Sequence, residues 1–280
     1  MKKLFKVIAV ILIIATLGVL AISLTACKKD NDVVEKDKLV VATNAEFAPF
    51  EALDGENFVG IDIDIAKIFA EKLGLELEIK NMEFDSVVTS IGKNGIDIGM
   101  AGLSVSEQRA KVVDFTDNYY TASQMIIVKS DNTEYDACEN AEEVEAIFKT
   151  KNKDSYKAGY QTGTVSDLYI GGDEDWDFDG FEDNIEGKGY QNAGLAVQDL
   201  ISGNIDIVVV DNAPAKLLVD AAANKGKVKL IEIPLYEDEY AFAVDKAQPM
   251  LKYALNGIIA EMKANGKLDE IIAKHFNPEA

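Results

Sequence analysis

The chain has 280 residues, of which 48% are hydrophobic, and its 49 acidic and 28 basic residues give a formal net charge of −21 at pH 7. This charge repels phosphates over a long range and argues against a nucleic-acid partner, while the hydrophobic fraction indicates a packed protein and not a disordered one. The length is enough for two lobes of ordinary domain size, and the two cysteines are too few for a disulfide framework.

The N-terminus has the layout of an export signal. Three lysines precede an apolar run over residues 7–24, and small residues then lead to Cys27. The run is also just long enough to remain as an uncleaved membrane anchor. Residues 24–27 resemble a bacterial lipobox, in which the cysteine is acylated and becomes the first mature residue, and this favours cleavage. We therefore predict a signal peptide over 1–26, a lipid on Cys27, a tether over 27–37 and a location on the extracellular face of the cell membrane.

Strands and helices alternate in the first part of the mature chain. Residues 39–42 are a short apolar run, typical of a buried strand. Residues 61–73 place apolar side chains on one face at helical spacing, with acidic residues at the start and a glycine after the end, and predict a helix. Residues 75–79 are predicted to form a strand, 84–91 a helix and 96–100 another strand. This order indicates a largely parallel sheet whose faces are covered by helices.

A repeated phrase indicates a second lobe of similar construction. Residues 93–98 (KNGIDI) return as residues 202–207 (SGNIDI), each after a helical pattern. We predict that one lobe is inserted into the other, so that the chain crosses between them near 121–124 and near 239–241. Lobe 1 then comprises residues 38–122 and 240–280, and lobe 2 comprises residues 123–239.

Arg109 is the only arginine in a chain that otherwise uses lysine. A guanidinium grips a carboxylate with two parallel hydrogen bonds and stays charged when dehydrated, so an anion clamp is a better interpretation than a surface ion pair. Residues 99–104, just upstream, include glycines that let a ligand approach the backbone. Because ligands bind beyond the carboxyl ends of strands in open α/β sheets, we expect Asp211, after the apolar run 207–210, to face Arg109 across a cleft. That pair fits a zwitterionic α-amino acid.

Five segments carry motifs that are weak singly and specific together. They are residues 47–51 (FAPFE), 60–65 (GIDIDI), 101–109 (AGLSVSEQR), 114–117 (DFTD) and 163–164 (GT). With them, nearly the whole mature sequence resembles the bacterial extracellular solute-binding proteins of family 3, the polar amino-acid receptors of ABC importers. The resemblance implies an α/β, two-lobe fold of the type II periplasmic-binding-protein kind. Each lobe would be a mixed, mostly parallel sheet flanked by helices, and two hinge crossovers would join the lobes.

The resemblance also implies a function and roles for residues of the cleft. The protein would be a monomer that captures a free amino acid by hinge closure and hands it to an ABC permease. Arg109 would grip the ligand α-carboxylate with help from Ser104. The Gly102 carbonyl and Asp211 would hold the α-ammonium.

The second lobe and two aromatic residues are expected to complete this site. By resemblance, Thr164 and Val165 offer amides to the ligand carboxylate, and a helix that starts there has a positive dipole end. Simple N-capping by Thr164 is the alternative. Phe47 and Phe84 correspond to apolar walls around the ligand side chain, and a core position is the alternative for either one.

Asn44 departs from the family pattern, because members that select basic side chains often carry aspartate there. An amide both donates and accepts hydrogen bonds, so we predict a neutral polar or sulfur-containing amino acid in preference to a basic one. The alternative involves Glu46, which is adjacent to the site. If its side chain points inward, its carboxylate supplies the negative charge that a basic ligand needs and that Asn44 lacks.

An acidic insertion follows the predicted helix at Thr164. Residues 175–186 match the spacing of a calcium loop, with oxygen-bearing residues at alternate positions, a glycine at the sixth and a glutamate at the twelfth. Glu182, however, stands at a position that is usually apolar, and residues 187–189 cannot begin a flanking helix. A calcium loop and a solvated acidic loop both remain open, and we predict no other cofactor or metal.

Binding is favoured over catalysis. Cys138 has no histidine near it in the sequence, and the single histidine, His275, lies close to the C-terminus. We therefore predict that the protein is not an enzyme. The alternative is an exported enzyme on the same scaffold, of the cyclohexadienyl or arogenate dehydratase kind, for which Glu46 is the candidate general acid.

Overall fold

Two five-stranded sheets organise residues 37–174 and 177–276, the residues that this computed structural model describes. By contacts, the described residues all fall within one compact unit, residues 36–280. The predicted signal peptide, Cys27 and all but the last residue of the predicted tether lie outside the described residues. None of the helices within the described ranges is long and apolar enough to cross a membrane.

The first part of the chain builds most of one lobe, which we call lobe 1. Its elements are β1 (Lys38–Thr43), β2 (Glu46–Phe47), β3 (Glu51–Asp54), β4 (Asn57–Val59), α1 (Ile61–Leu73), β5 (Glu76–Asn81), α2 (Phe84–Ser90), β6 (Ile98–Gly99), α3 (Glu107–Ala110) and β7 (Asp114–Phe115).

The middle of the chain builds lobe 2. Its elements are β8 (Tyr120–Lys129), α4 (Ala141–Phe148), β9 (Lys157–Gln161), α5 (Val165–Gly171), β10 (Glu186–Tyr190), α6 (Ala193–Ser202), β11 (Ile207–Asp211), α7 (Asn212–Asp220) and β12 (Val228–Tyr240). The chain then returns to lobe 1 with β13 (Ala243–Val244), α8 (Pro249–Ala264) and α9 (Lys267–Phe276).

Both sheets are mixed. The lobe 1 sheet has the order β5-β1-β6-β13-β7, and the lobe 2 sheet has the order β10-β9-β11-β8-β12. Pairs within the alternating strand–helix segments are parallel, as predicted, whereas β13 in lobe 1 and β8 in lobe 2 pair antiparallel with both neighbours. The antiparallel pairs involve β8, β12 and β13, the strands at or next to the passages between the lobes. A small antiparallel sheet of β2, β3 and β4, which the sequence pattern does not predict, adds to lobe 1.

The repeated phrase has the same structural role in both lobes. Asp97 precedes β6, and its Oδ2 accepts a hydrogen bond from the Val40 amide in β1 at 2.8 Å. Asp206 precedes β11, and its Oδ2 accepts from the Lys157 amide in β9 at 2.8 Å. Each aspartate thereby joins the two strands that pair in parallel beside it. The sequence repeat is therefore a repeat of structure.

Two adjacent strands connect the lobes. β8 follows β7 of lobe 1, and β12 precedes β13 of lobe 1. They pair antiparallel, with Tyr120 opposite Tyr240 and Gln124 opposite Tyr236. The two connections therefore form a single two-stranded ribbon, which we call the crossover ribbon. The lobe boundaries given above stay predictions.

Candidate ligand-binding site

Arg109 reaches from lobe 1 to lobe 2. It lies in α3, a short helix that begins after Ser106, whose hydroxyl accepts a hydrogen bond from the Arg109 amide at 3.2 Å. Its Nη1 donates to the Ser104 carbonyl at 2.8 Å, and its Nη2 donates to the Gly163 carbonyl of lobe 2 at 3.0 Å. The Cζ atom lies 5.4 Å from the centre of the Phe84 ring, within the range of a cation–π contact. The guanidinium is thus held between the lobes.

Buried carboxylates lie near this guanidinium. Burial lowers the pKa of Arg109, and the charges of Asp238 and Asp211 are among those that oppose this shift. Asp211 ends β11, and its Oδ1 accepts from Gln124 Nε2 at 2.7 Å. The Oε1 of Gln124 in turn accepts from the Ser166 hydroxyl at 2.6 Å. Burial, and then the charge of Asp238, raises the pKa of Asp211 to about 7.

Ser104 joins the Arg109 segment to the crossover ribbon. It forms an isolated β-bridge with Tyr240, and its hydroxyl donates to Asp238 Oδ2. Asp238 is 8% exposed, and burial raises the pKa of its carboxyl. The sequence does not single out Asp238, because it stands between two other acidic residues in a segment that is typical of a solvent-exposed surface. Its burial follows from the alternation of side chains along β12.

Gly102 is held in a conformation that favours glycine. Its φ is 53°, and a Cβ there would lie 2.8 Å from the Phe47 ring. Its amide donates to Asp62 Oδ2 at 3.1 Å, so its carbonyl is the group that it offers to a ligand. Asp62 also accepts from the Tyr119 hydroxyl at 2.6 Å, and burial raises the pKa of Asp62 to about 7. Beside it, burial and then Asp62 raise the pKa of Glu51 well above its usual range.

The start of α5 approaches Arg109 from lobe 2. The Thr164 hydroxyl donates to the Gln161 carbonyl at 2.8 Å and makes no capping bond, so the N-capping alternative does not describe it. The Asp167 carboxylate instead accepts from the Gly163 amide at 2.9 Å. The first amides of a helix have no partner inside the helix, so the Val165 end of α5 is suited to an anion.

Asn44 and Glu46 both contact lobe 2. Asn44 is buried, its Nδ2 donates to the Met82 carbonyl at 3.0 Å, and its Oδ1 accepts from Gln161 Nε2 at 3.0 Å. Glu46 is exposed, and its Oε2 accepts from Asn192 Nδ2 at 2.8 Å. Glu46 therefore lies at the rim of the cleft and does not point inward beside Asn44.

The two predicted aromatic walls differ in burial. Phe47 is 8% exposed and stacks on Phe50 with 5.8 Å between ring centres, so it is partly a core residue. Phe84 is half-buried at the start of α2, and its ring lies beside the Arg109 guanidinium. Phe84 therefore supports the arginine in addition to bordering the cleft.

The structure gathers Arg109, Ser104 and Asp211 at one place where the lobes meet. Close to them lie four more polar residues that sequence reasoning missed, namely Asp238, Gln124, Ser166 and Gln161. These polar residues become neighbours only when strands and lobes that are distant in the chain come together. The one usable signal is a polar residue directly before an apolar run, as at Gln124 before residues 125–128 in β8.

The acidic loop is described only in part, since Asp175 and Trp176 lie outside the described residues. Gly180, the sixth position of the calcium-loop spacing, has a φ of 64°, as a sharp turn requires. Glu186, the twelfth, forms an ion pair with Lys157 at 2.9 Å. Within the described residues, no group of three or more His, Cys, Asp or Glu side chains could hold a metal ion. A calcium loop and a solvated acidic loop therefore stay the two alternatives for this segment.

Comparison with known proteins identifies the family to which this chain belongs and two of its relatives. The sequence pattern of the bacterial extracellular solute-binding proteins, family 3, matches residues 39–278. The chain belongs to this family. It is 27% identical over 270 residues to the arginine-binding extracellular protein ArtP of Bacillus subtilis, covering 96% of this chain and 98% of ArtP. It is also 27% identical to the histidine-binding periplasmic protein of Salmonella typhimurium, covering 86% of this chain and 88% of the relative.

Solved structures of similar proteins show the same fold. The substrate-binding protein AbpA of Streptococcus pneumoniae, bound to L-arginine, matches with a TM-score of 0.72 and 32% identity over 86% of this chain and 95% of AbpA. An ancestral amino acid-binding protein, AncCDT-1, a precursor of cyclohexadienyl dehydratase, matches with a TM-score of 0.71 and 29% identity over 86% of this chain and 95% of its own. The prediction of a type II periplasmic-binding-protein fold is confirmed.

Proposed function

We propose that this member of family 3 is the extracellular receptor of an ABC importer, which captures a free amino acid between its lobes and delivers it to the permease. The observation that carries the proposal is the position of Arg109, held between the lobes by the carbonyls of Ser104 and Gly163, in the neighbourhood of Asp211. The half-buried guanidinium from lobe 1 and the buried carboxylate from lobe 2 lie close enough to influence each other electrostatically. A zwitterionic amino acid supplies the opposite charge to each of them.

The residues around this pair have roles that follow from their remaining hydrogen-bonding groups. Arg109 has donors left for a ligand carboxylate after its two carbonyl contacts, and the Val165 amide at the start of α5 adds another. The hydroxyls of Ser104 and Thr164 already donate to Asp238 and to the Gln161 carbonyl, so these two residues would exchange those partners to bind the carboxylate. The Gly102 carbonyl and Asp211 accept from the ligand ammonium.

Hydrogen bonds between the lobes support capture by hinge closure. They join Arg109 to the Gly163 carbonyl, Asn44 to Gln161, Glu46 to Asn192, and Glu83 to Gln191 at 2.9 Å. Such contacts form when the lobes close and break when they part. The last two lie at exposed positions on the rim, where they can form around a bound ligand.

We propose that the preferred amino acid is neutral and polar or contains sulfur. Asn44 carries no charge, and both ends of its amide already have partners. Glu46 is bonded to Asn192 at the rim, so it is not positioned to balance a buried cation, and an unpaired charge in a dry cleft is costly. Basic amino acids are the alternative, which the relatives named for arginine and histidine support, although an ancestral arginine-binding protein has also been solved with glutamine.

We propose that the mature protein is anchored through a lipid on Cys27 at the extracellular face of the membrane. We also propose that it binds its amino acid without catalysis, since the candidate general acid, Glu46, is an exposed rim residue bonded to Asn192. AncCDT-1 makes a dehydratase the alternative to test. Turnover of prephenate or arogenate by the purified protein would overturn this part of the proposal.

A thermal-shift screen tests the proposal. The protein starting after Cys27, which keeps the compact unit of residues 36–280, is mixed with each of the common amino acids. A ligand at a hundred times its dissociation constant adds about 2.7 kcal/mol of stability. We expect the largest shift with a neutral polar or sulfur-containing amino acid. A largest shift with arginine or lysine would contradict only the specificity, whereas no shift with any amino acid would contradict the receptor function.

A further inference from the structure

Asp238 is a buried carboxylate whose hydrogen bonding accounts for only one of its two oxygens. It lies in β12, within the crossover ribbon, and is 8% exposed. Its Oδ2 accepts from the Ser104 hydroxyl. Its Oδ1 is fully buried and accepts no hydrogen bond of ordinary geometry among residues 37–174 and 177–276, although the neighbouring Gln124 amide offsets part of the rise in the pKa of the carboxyl. A buried carboxylate oxygen without a partner costs folding free energy, so the residue needs a further explanation.

The sheet register places Asp238 on the side that bears the site. Asp211 lies opposite Gln124 across β11 and β8, and Asp238 lies opposite Ala122 across β8 and β12. Residues directly opposite share a face of a sheet, as do residues two apart along a strand. Asp211, Gln124 and Asp238 therefore extend from one face. The bond from Ser104 to Asp238 shows that this face lies against the Arg109 segment.

We propose that Asp238 is a ligand-contacting residue, whose Oδ1 accepts a hydrogen bond from the α-ammonium of the amino acid beside Asp211. The proposal rests on the proposed function. An ammonium group has three N–H donors. The Gly102 carbonyl, Asp211 and Asp238 supply three acceptors from three different parts of the fold. Since Asp238 belongs to the crossover ribbon, the ammonium would also contact the part of the protein that bends during closure.

The charges here link this contact to pH. Arg109, Asp211, Asp238 and Tyr240 face one another, and two more ionisable groups, Tyr120 and Tyr236, lie near Asp211 and Asp238 respectively. Burial raises the pKa of Asp211 to about 7 and raises that of Asp238 as well. Asp211 thus retains a proton until the pH passes about 7. A bound ammonium favours the ionised carboxylates, so amino-acid affinity should rise as the pH rises through this range and then level off.

Asp238→Asn is the test, with Glu237→Gln as the matched control. Asparagine keeps a carbonyl for the Ser104 hydroxyl but presents an NH₂ group or a neutral oxygen where the ammonium needs a carboxylate. Glu237 is an exposed acid on the same strand, so its replacement makes the same charge change outside the site. The probes are the amino acid with the largest shift in the thermal-shift screen and its desamino acid, in which hydrogen replaces the ammonium; for glutamine, the desamino acid is glutaramic acid.

We expect Asp238→Asn to weaken binding of the amino acid about tenfold to a hundredfold and to leave binding of the desamino acid nearly unchanged. Its pH profile should also lose part of the rise near neutral pH. Equal losses for both probes would show a merely structural role, and an unchanged affinity for the amino acid would show no contact; either result overturns the proposal. Asp238→Ser provides the same comparison if the asparagine variant does not fold. A wild-type protein that binds no amino acid would instead contradict the receptor function.

Discussion

Arg109 has enough hydrogen-bond donors both to join the two lobes and to bind a ligand carboxylate. A guanidinium carries five N–H groups. The carbonyls of Ser104 and Gly163 accept from two of its nitrogens and belong to different lobes. The side chain therefore helps to hold the lobes together while donors remain for a ligand carboxylate. A lysine has a single nitrogen and no planar fork, so it cannot serve both lobes and a ligand at once.

Arg109→Lys should therefore weaken amino-acid binding by on the order of 2–5 kcal/mol. The ligand carboxylate would be left partly unpaired in a buried site. Calorimetry with the tightest amino acid of the thermal-shift screen measures the loss, and the melting temperature of the ligand-free variant shows whether the fold is kept. A folded variant that binds nearly as tightly as the wild type would rule out the clamp.

Single residues were predictable from the sequence where their chemistry is unusual. Arg109 stands out as the only arginine, and Asp211 stands out because it ends an apolar run. Asp238 does not, because its neighbours on either side are also acidic. The alternative, in which an inward-pointing Glu46 supplies a negative charge, also depends on contacts that the sequence does not show. Asn192, its partner, is 146 positions away in the chain, and such a partner is set by how the lobes meet.

At the scale of elements, the loop before α6 forms a clasp with lobe 1. We define the clasp as Gln191 and Asn192 of lobe 2 with Glu83 and Glu46 of lobe 1. Gln191 Nε2 donates to Glu83 Oε1 at 2.9 Å, and Asn192 Nδ2 donates to Glu46 Oε2 at 2.8 Å. Asn192 also caps α6, since its Oδ1 accepts from the Leu195 amide at 2.9 Å. One asparagine thus begins the helix and joins the lobes.

Removing the clasp should speed ligand release. The double variant Gln191→Ala with Asn192→Ser keeps a residue that can cap α6 but loses both contacts to lobe 1. Each lost hydrogen bond should weaken ligand binding about threefold to tenfold, mainly through a faster off-rate, because such bonds contribute on the order of 1 kcal/mol. Stopped-flow measurement of association and dissociation separates the two rates.

Glu46→Gln is the control for the clasp, because a glutamine keeps a carbonyl acceptor for Asn192. We expect its off-rate to stay close to that of the wild type. An unchanged off-rate in the double variant would show that these contacts do not hold the closed form. A strong effect of Glu46→Gln alone would instead indicate that the charge of Glu46 acts on the ligand.

The elements themselves were largely predictable, because their patterns are local. Helix α1 occupies the predicted span 61–73, and α2 occupies all but the last residue of the predicted span 84–91. The small sheet of β2, β3 and β4 was missed, since strands of two to four residues are too short to show an alternating pattern. Helix α4 was missed because it lies in a polar stretch, where only its inner face is apolar.

At the scale of the whole molecule, the ligand site and the hinge share residues. The crossover ribbon carries Gln124 on β8 and Asp238 on β12, and both bond to residues of the candidate site. Arg109 and Asn44 reach lobe 2 from lobe 1. A ligand held by both lobes therefore favours the arrangement in which all of these groups meet, which is the closed form.

Small-angle scattering of the protein starting after Cys27, with and without the tightest amino acid of the thermal-shift screen, tests capture between the lobes most directly. Saturating amino acid should lower the radius of gyration of the wild type. Arg109→Lys at the same ligand concentration should keep the larger value of the ligand-free protein, because it lacks the group that holds the carboxylate. A wild-type scattering curve that does not change at saturating ligand would contradict capture by closure.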